Sequence, residues 1–270
     1  KKAVSLGANP ILAIKTATIN TAKHFGIDNV GAIGIGYKAN FSIVDDIRAL
    51  NILSVYKEGK EIYNKQTGLV PFEKPKVDKK LMLRINHTFN IKELKPSDFS
   101  IEKQDKYTVI GLHNKQITTE KIVTSDVSDC VMLAVAERHK GTGHIGKCYL
   151  SGYGLKKGAI ATSIAHDAHN LIVAGKTEED MAVAANCVRN NNGGFAIALD
   201  GKIIGELPLP LAGLMCDKSV EEVTEIMDNL HKTAAELGVN PEIDPFMTLG
   251  FVSLTVIPEI RLTTTGIVEV

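Results

Sequence analysis

The sequence predicts a mixed α/β (α+β) fold, in which strands and helices alternate along most of the chain. Short apolar runs bounded by glycine recur, and such runs are typical of buried strands. Two longer segments, 177–190 and 219–237, carry helical patterns with capping residues at their starts. The 270 residues are 44% hydrophobic and 23% charged, which is an ordinary globular composition with room for one large domain or two smaller ones.

The first 25 residues show apolar side chains at helical spacing, interrupted by a turn at 7–10. This pattern predicts two short helices, the second beginning near Pro10, where a missing backbone N–H costs nothing. Because the sequence starts inside such a pattern and without Met, we expect Lys1 to be a truncation point.

Residues 28–64 change to strand character and predict a small β unit. The apolar runs 41–44 and 52–56 are the predicted strands, and a tight turn at 58–60 precedes a further short strand. The following segment, 65–80, is rich in proline and lysine and predicts a connector. A second, larger domain is predicted from residue 81 onward. Its predicted strands are 81–91, 107–112, 130–136, 195–199 and 202–207.

Two helices of the larger domain are predicted from their ends. Thr177 precedes three acidic residues and an apolar stripe, so it is expected to cap the helix over 177–190. Ser219 and Glu222 have the spacing of a capping box, in which each side chain bonds the backbone N–H of the other residue. Gly238 is expected to end that second helix.

Charge and cysteine content exclude several functional classes. Lysine plus arginine equals aspartate plus glutamate at 31 each, so we expect neither nucleic acid nor an acidic membrane as a partner. No apolar run approaches the roughly 20 residues that cross a bilayer. No two of the four cysteines form a Cys-x-x-Cys pair, which argues against a zinc ribbon or a redox dithiol. Scattered cysteines of this kind favour location in a reducing cytoplasm.

The densest group of polar side chains lies in the segment 163–170. His166, Asp167 and His169 offer imidazole nitrogens and a carboxylate, which are ligand types for zinc, iron and manganese. The segment follows a glycine-rich stretch and precedes an apolar run, so we expect it in a loop at a strand edge. Metal or substrate contact is one interpretation, and structural hydrogen bonding is the other. Asn170 belongs to the same group.

Phe246 lies in a segment with two interpretations. Aromatic faces suit stacking on a purine base, and an ordinary core phenylalanine is the alternative. The other histidines have no partner nearby in sequence, and no role is predicted for them. They are His24, His87, His113, His139, His144 and His231.

Two groups of motifs resemble a known family. The segments 31–44 and 55–60 are similar to the small β-sandwich that follows the barrel of amidohydrolases, with Asn40 where that pattern usually has Asp. Residues from about 130 to 270 resemble the C-terminal domain of adenine deaminases through several stretches in the same order. These are 136–139, 158–161, 165–170, 193–194, 207–215 and 244–249.

The resemblance implies a division of the chain. Residues 1–27 are expected to be the end of a (β/α)8 amidohydrolase barrel, and 28–66 part of a small β-sandwich. Residues 67–80 are expected to be a connector, and 81–270 a mixed α/β C-terminal domain. Because the main catalytic residues and metal ligands of this family would precede Lys1, the isolated chain is expected to be inactive.

The resemblance also implies an activity, which is hydrolytic deamination of adenine to hypoxanthine and ammonia in purine salvage or adenine catabolism. The attacking water would be activated by a divalent metal, manganese or iron, with zinc as a further option. Adenine is then the expected small-molecule partner, and a homodimer or other homo-oligomer is expected. An amidohydrolase that acts on another heterocycle and a non-catalytic domain for dimerisation or lid closure are the alternatives.

For individual residues, the resemblance favours a functional role of the polar group in 163–170. His166, Asp167 and His169 become candidate metal ligands. Asn170 and Phe246 become candidates for substrate binding or another contribution to an active site.

Overall fold

The computed structural model describes residues 1–71 and 76–270. It divides the chain into two units, Lys1–Lys76 and Val77–Val270. The central part of the predicted connector, residues 72–75, lies outside the described residues.

The first unit begins with short helical segments. These are α1 (Lys2–Ser5), α2 (Pro10–Lys15), one turn of π-helix (Thr16–Asn20) and α3 (Thr21–His24). The side chain of Asn9 caps α2 by accepting from the N–H groups of Ile11 and Leu12, at 3.0 and 3.1 Å. The predicted helix beginning near Pro10 is therefore confirmed.

A four-stranded antiparallel sheet follows in residues 41–69. Its strands pair in chain order, and they are β1 (Phe41–Val44), β2 (Ile52–Lys57), β3 (Lys60–Asn64) and β4 (Gly68–Leu69). Between β2 and β3, Glu58 and Gly59 have φ angles of 52° and 76°. Two consecutive positive φ angles are what a type I′ hairpin turn requires, and the predicted tight turn is confirmed.

The second unit begins with helix α4 (Lys79–Ile85), where the sequence predicted a strand over 81–91. That prediction is wrong. Asp78 caps the helix by accepting from the N–H groups of Lys80 and Leu81, at 2.9 and 3.0 Å. A short apolar run fits either a helix or a strand, and the capping carboxylate decides for the helix.

An eight-stranded sheet forms the centre of residues 77–270, all of which are described. Its strands are β5 (Tyr107–Leu112), β6 (Thr119–Thr124), β7 (Val131–Ala136), β8 (Ile145–Ser151), β9 (Ala159–Thr162), β10 (Leu171–Gly175), β11 (Gly194–Leu199) and β12 (Lys202–Pro208). The spatial order is β12-β11-β9-β10-β7-β8-β5-β6. Neighbours are antiparallel, apart from β5 and β8, which are parallel.

Helices cover both faces of this sheet. Helix α5 (Glu178–Asn190) packs on one face, and α6 (Val220–Glu236) with α7 (Pro245–Phe251) packs on the other. The alternation of side chains along β9 shows the separation, because Ile160 belongs to the α6–α7 core whereas Ala159 and Ala161 belong to the α5 core. The mixed α/β fold class predicted from the sequence is therefore confirmed.

The caps predicted for the two long helices are also present. The Thr177 hydroxyl accepts from the N–H of Asp180 at 3.2 Å. Ser219 and Glu222 form the capping box, with distances of 3.2 Å and 3.0 Å for its two hydrogen bonds. None of the helices within the described ranges is both long and apolar enough to cross a membrane.

A terminal hairpin completes the α6–α7 face. It consists of β13 (Ile260–Thr263) and β14 (Gly266–Glu269). The buried guanidinium of Arg261 donates to the carbonyls of Ile117 and Pro258, at 2.8 and 3.1 Å. This arginine therefore holds the hairpin to the chain that precedes β6.

Candidate functional site

The polar segment 163–170 joins β9 to β10, at the strand-edge position that the sequence predicted. Its first residue, Ser163, is buried, and its hydroxyl donates to the carbonyl of Gly213 at 2.6 Å. The same hydroxyl accepts from the N–H of Gly194 at 2.8 Å. The start of the loop is thus held by the first residue of β11 and by the segment that follows β12.

The end of the loop is held by Arg138, whose side chain is only 1% exposed. Its Nε donates to the carbonyl of His169, and its terminal nitrogens donate to the carbonyls of Thr88 and Ala212, each at 3.2 Å. The guanidinium also lies over the ring of Phe89, 4.4 Å from its centroid. Burial lowers the pKa of Arg138 to about 10, which leaves it charged at neutral pH.

His169 closes a tight turn on Ala165. Its backbone N–H donates to the carbonyl of Ala165, and its Nδ1 accepts from the N–H of Ala165 at 3.2 Å. An accepting Nδ1 places the proton of a neutral ring on Nε2. Burial, together with the nearby His166 and Arg138, lowers the pKa of His169. The neutral Nε2–H form is therefore the one that this turn stabilises.

The three predicted metal ligands do not converge on one point. The rings of His166 and His169 are 6.1 Å apart between centroids, and Nδ1 of His166 lies 3.9 Å from a carboxylate oxygen of Asp167. The Asp167 side chain is 87% exposed. Among residues 1–71 and 76–270, no group of three or more His, Cys, Asp or Glu side chains is arranged to hold a metal. On their own these residues do not fit a metal ion, and their role as ligands stays a prediction.

Asn170 is turned toward Arg138. Its side-chain oxygen lies 3.4 Å from the backbone nitrogen of Arg138, and the residue is partly buried at the start of β10. The contact connects the end of the loop to the end of β7. A role of Asn170 in substrate binding stays a prediction.

A cavity of about 320 Å³ lies beside the loop, within the unit Val77–Val270. We call it the His231 cavity. Of the predicted site residues, His166 and Phe246 line it, whereas Asp167, His169 and Asn170 do not. Its lining comes from the loop, β11, α6 and α7, and consists of Ile164, His166, Phe195, Met227, His231, Asp244, Phe246, Met247 and Gly250.

His231, which has no partner nearby in sequence, has one across this cavity. Its Nε2 lies 3.0 Å from Oδ2 of Asp244, and its Nδ1 lies 2.8 Å from the carbonyl oxygen of Met227. The sequence predicted no role for His231, and the structure gives it a partner. Asp244 precedes Pro245, which is a helix-start signal, but 13 residues separate the pair, and no spacing rule connects the two.

Two acceptors favour the doubly protonated ring of His231. Burial alone would lower its pKa, but the hydrogen bonds to Asp244 and to the Met227 carbonyl outweigh that effect, and the pKa is raised. The pair therefore tends toward an imidazolium facing a carboxylate, with no net charge.

Aromatic rings form much of the cavity wall. The ring of Phe246 meets those of Phe195 and His231 edge-to-face, with centroids 4.9 and 5.4 Å away. His166 stacks on Phe251, with centroids 4.8 Å apart and planes inclined by 27°. Phe246 is only 3% exposed, so it is at once a core residue and part of the wall, and its two interpretations are compatible.

Sequence comparisons extend this description to the class of protein. Residues 2–62 match the model of the amidohydrolase family. Residues 109–270, more than half of the chain, match the model described as the adenine deaminase C-terminal domain. The chain belongs to the adenine deaminase C-terminal domain family.

Several relatives match over the whole chain. Adenine deaminase 2 of Carboxydothermus hydrogenoformans is 40% identical over 282 residues, covering 100% of this chain and 49% of that protein. The adenine deaminases of Petrotoga mobilis and Methanothrix thermoacetophila are 37% and 38% identical over 288 and 283 residues. They are matched over 100% of this chain and over 49% and 48% of their own lengths. The chain thus spans about half the length of the curated relatives it matches.

Proposed function

We propose that this chain is the C-terminal half of an enzyme that hydrolyses adenine to hypoxanthine and ammonia. The observation that carries the proposal is the similarity to adenine deaminases along the entire chain, at 37–40% identity in these relatives. The reaction adds one water across the C6–amino bond and releases ammonia. The substrate is the free base, and no nucleic acid or membrane takes part.

The proposal includes a divalent metal in the intact enzyme, with manganese or iron preferred and zinc as a further option. His166, Asp167 and His169 stay candidate ligands, but they do not converge on one point, so a metal held there would need further ligands from the intact enzyme. The isolated chain is accordingly expected to be inactive.

The contribution of this chain is proposed to come from the loop 163–170 and the adjoining cavity. The His166 imidazole is about half exposed and stacks on Phe251, so it is both accessible and oriented. Phe246 offers a ring to a bound base, and the Arg138 side chain holds the carbonyl of His169, next to Asn170. The contacts of His166 and Arg138 anchor the loop beside the His231 cavity.

Turnover in the intact enzyme tests the proposal. Hypoxanthine formation from adenine is measured for the wild type and for His166→Ala, with folding verified by circular dichroism. A loss of about 100-fold or more, or about 2.7 kcal/mol of transition-state stabilisation, is expected for the variant. His144→Ala is the matched control, because His144 is exposed and does not line the His231 cavity. An intact wild-type enzyme that leaves adenine unchanged would refute the assignment.

Two other functions predict different results. An amidohydrolase for another heterocycle would release ammonia from cytosine or guanine but not from adenine. If the chain is instead a domain for dimerisation or lid closure, the His166→Ala enzyme should keep the wild-type kcat and lose stability. Sedimentation of the intact enzyme tests the expected homo-oligomer independently of turnover, and location in the cytoplasm also stays a prediction.

A further inference from the structure

The His231 cavity contains a carboxylate with unused acceptor capacity. Oδ1 of Asp244 accepts from the N–H groups of Phe246 and Met247, at 3.0 and 2.7 Å. Oδ2 accepts from Nε2 of His231 at 3.0 Å. Each carboxylate oxygen has room for about two donors. Among the described residues, Oδ2 has this one hydrogen-bond partner, so it can accept one further N–H from a bound molecule.

The walls of the cavity suit a flat ligand. Rings of His166, Phe195 and Phe246 contribute to them, and the thioethers of Met227 and Met247 supply polarisable surface that adapts to an aromatic ligand. Met247 is 61% exposed, which places it where the cavity meets solvent. The volume of about 320 Å³ is at the small end of ligand sites, so it suits a single heterocycle.

Charge narrows the class of ligand. None of the residues that line the cavity is lysine or arginine, and the imidazole of His231 is already paired with Asp244, so a phosphate group would have no free cationic partner in it. The Asp244 carboxylate already faces the His231 ring, which reduces its attraction for a free cation. A neutral ligand that donates an N–H therefore fits better than a nucleotide or a metal ion.

We propose that the His231 cavity binds a planar nitrogen heterocycle with an exocyclic amino group, and that an N–H of this group donates to Oδ2 of Asp244. The choice of adenine as the probe rests on the proposed function. Asp244 is then the residue that distinguishes an amino-substituted base from one without the amino group.

Calorimetric titration of the 270-residue chain with adenine and with purine, which lacks the amino group, tests this inference. Adenine is expected to bind at least 10-fold more tightly than purine. Asp244→Asn replaces the second oxygen by an N–H₂ donor, while an amide oxygen still caps α7 as well as a carboxylate does. This variant is expected to lose at least 10-fold in adenine affinity, about 1.4 kcal/mol, with little change for purine. Asp105→Asn, on an exposed turn outside the cavity, should bind as the wild type does.

A second variant keeps the test decisive if Asp244→Asn does not fold. Met247→Trp places a large ring at the exposed mouth of the cavity and is expected to weaken both ligands. The inference is overturned if adenine does not bind at millimolar concentration, if purine binds equally well, or if the folded variants bind adenine as the wild type does.

Turnover by the intact enzyme is a separate result, so an active enzyme whose C-terminal half fails to bind adenine refutes only this inference. A chain that binds adenine within an enzyme that does not deaminate it refutes only the proposed function.

Discussion

Nε2 of His231 lies 3.0 Å from Oδ2 of Asp244, and this contact joins α6 to the residue that caps α7. The carboxylate therefore stabilises two helices at once, through its hydrogen bonds to the first turn of α7 and through the imidazole. Because α6 and α7 also line the His231 cavity, the pair connects two of its walls.

The contribution of His231 to the free energy of unfolding should depend on pH. Its pKa is raised in the folded chain, so the contact contributes fully below the unfolded value of about 6.5 and is lost as pH rises through the raised pKa. The stability difference between wild type and His231→Gln should be about 0.5–1 kcal/mol larger at pH 5.5 than at pH 9, a small value because the pair is partly exposed. Urea unfolding at both pH values measures it, with His144→Gln as a control, and a difference independent of pH would contradict the prediction.

His169 should titrate in the opposite direction. Its pKa is lowered by burial and by the neighbouring His166 and Arg138, so its stabilising contribution is present above about pH 6.5 and is lost as pH falls through the lowered pKa. Two-bond ¹H–¹⁵N correlation spectra, assigned with His169→Gln, should show the Nε2–H tautomer at pH 8 and a midpoint below 6.5. A midpoint at or above the ordinary histidine value would show that the turn on Ala165 does not hold the neutral ring.

Replacing Arg138 should destabilise the second unit strongly. Arg138→Met removes the donors of the carbonyls of His169, Thr88 and Ala212 and leaves buried acceptors unpaired, so a loss of about 3 kcal/mol is expected. Arg138→Lys should recover only part of it, because an ammonium group lacks the planar fork of donors. Arg84→Met, at an exposed position, should change the free energy of unfolding by less than about 0.5 kcal/mol. Equal losses for Arg138→Met and Arg84→Met in urea unfolding would refute the role of Arg138.

Gly146 should not tolerate a side chain. A Cβ at this position would lie 1.8 Å from the carbonyl oxygen of Thr263, so Gly146→Ala must displace the terminal hairpin from β8. A loss of about 3 kcal/mol in urea unfolding is expected, together with faster hydrogen exchange in β13 and β14. The neighbouring substitution Lys147→Ala is the control and should leave the hairpin protected. A Gly146→Ala chain with wild-type stability would show that the hairpin can move without cost.

The capping box of α6 should contribute less to the free energy of unfolding than Arg138 or Gly146 does. Ser219→Ala removes the acceptor for the N–H of Glu222, so a loss of about 1 kcal/mol is expected. Ser219→Asp keeps an acceptor and places a negative charge at the positive end of the helix, so it should restore most of the stability. Thermal unfolding of the two variants compares them, and equal transition temperatures would contradict this interpretation.

Local hydrogen bonding explains which predictions from the sequence were confirmed. The caps at Thr177 and Ser219 involve residues three positions apart, so their pattern is visible in the sequence before any tertiary structure forms. Of the eight strands in the larger sheet, the sequence predicted β5, β7, β11 and β12, but it did not predict β6, β8, β9 and β10. In the edge strand β6, three of the six residues are exposed and two are half-buried, so its polarity resembles that of a loop.

The sequence was enough to predict the mixed α/β class, the two long helices with their caps, the loop position of 163–170 and the family resemblance. Only the folded chain shows that Arg138 holds the loop and that His231 contacts Asp244. The His231 cavity likewise exists only in the folded chain, because its walls come from a loop, a strand and two helices far apart in sequence. Local patterns reflect hydrogen bonds between neighbouring residues, whereas contacts across a cavity depend on how elements distant in sequence pack together.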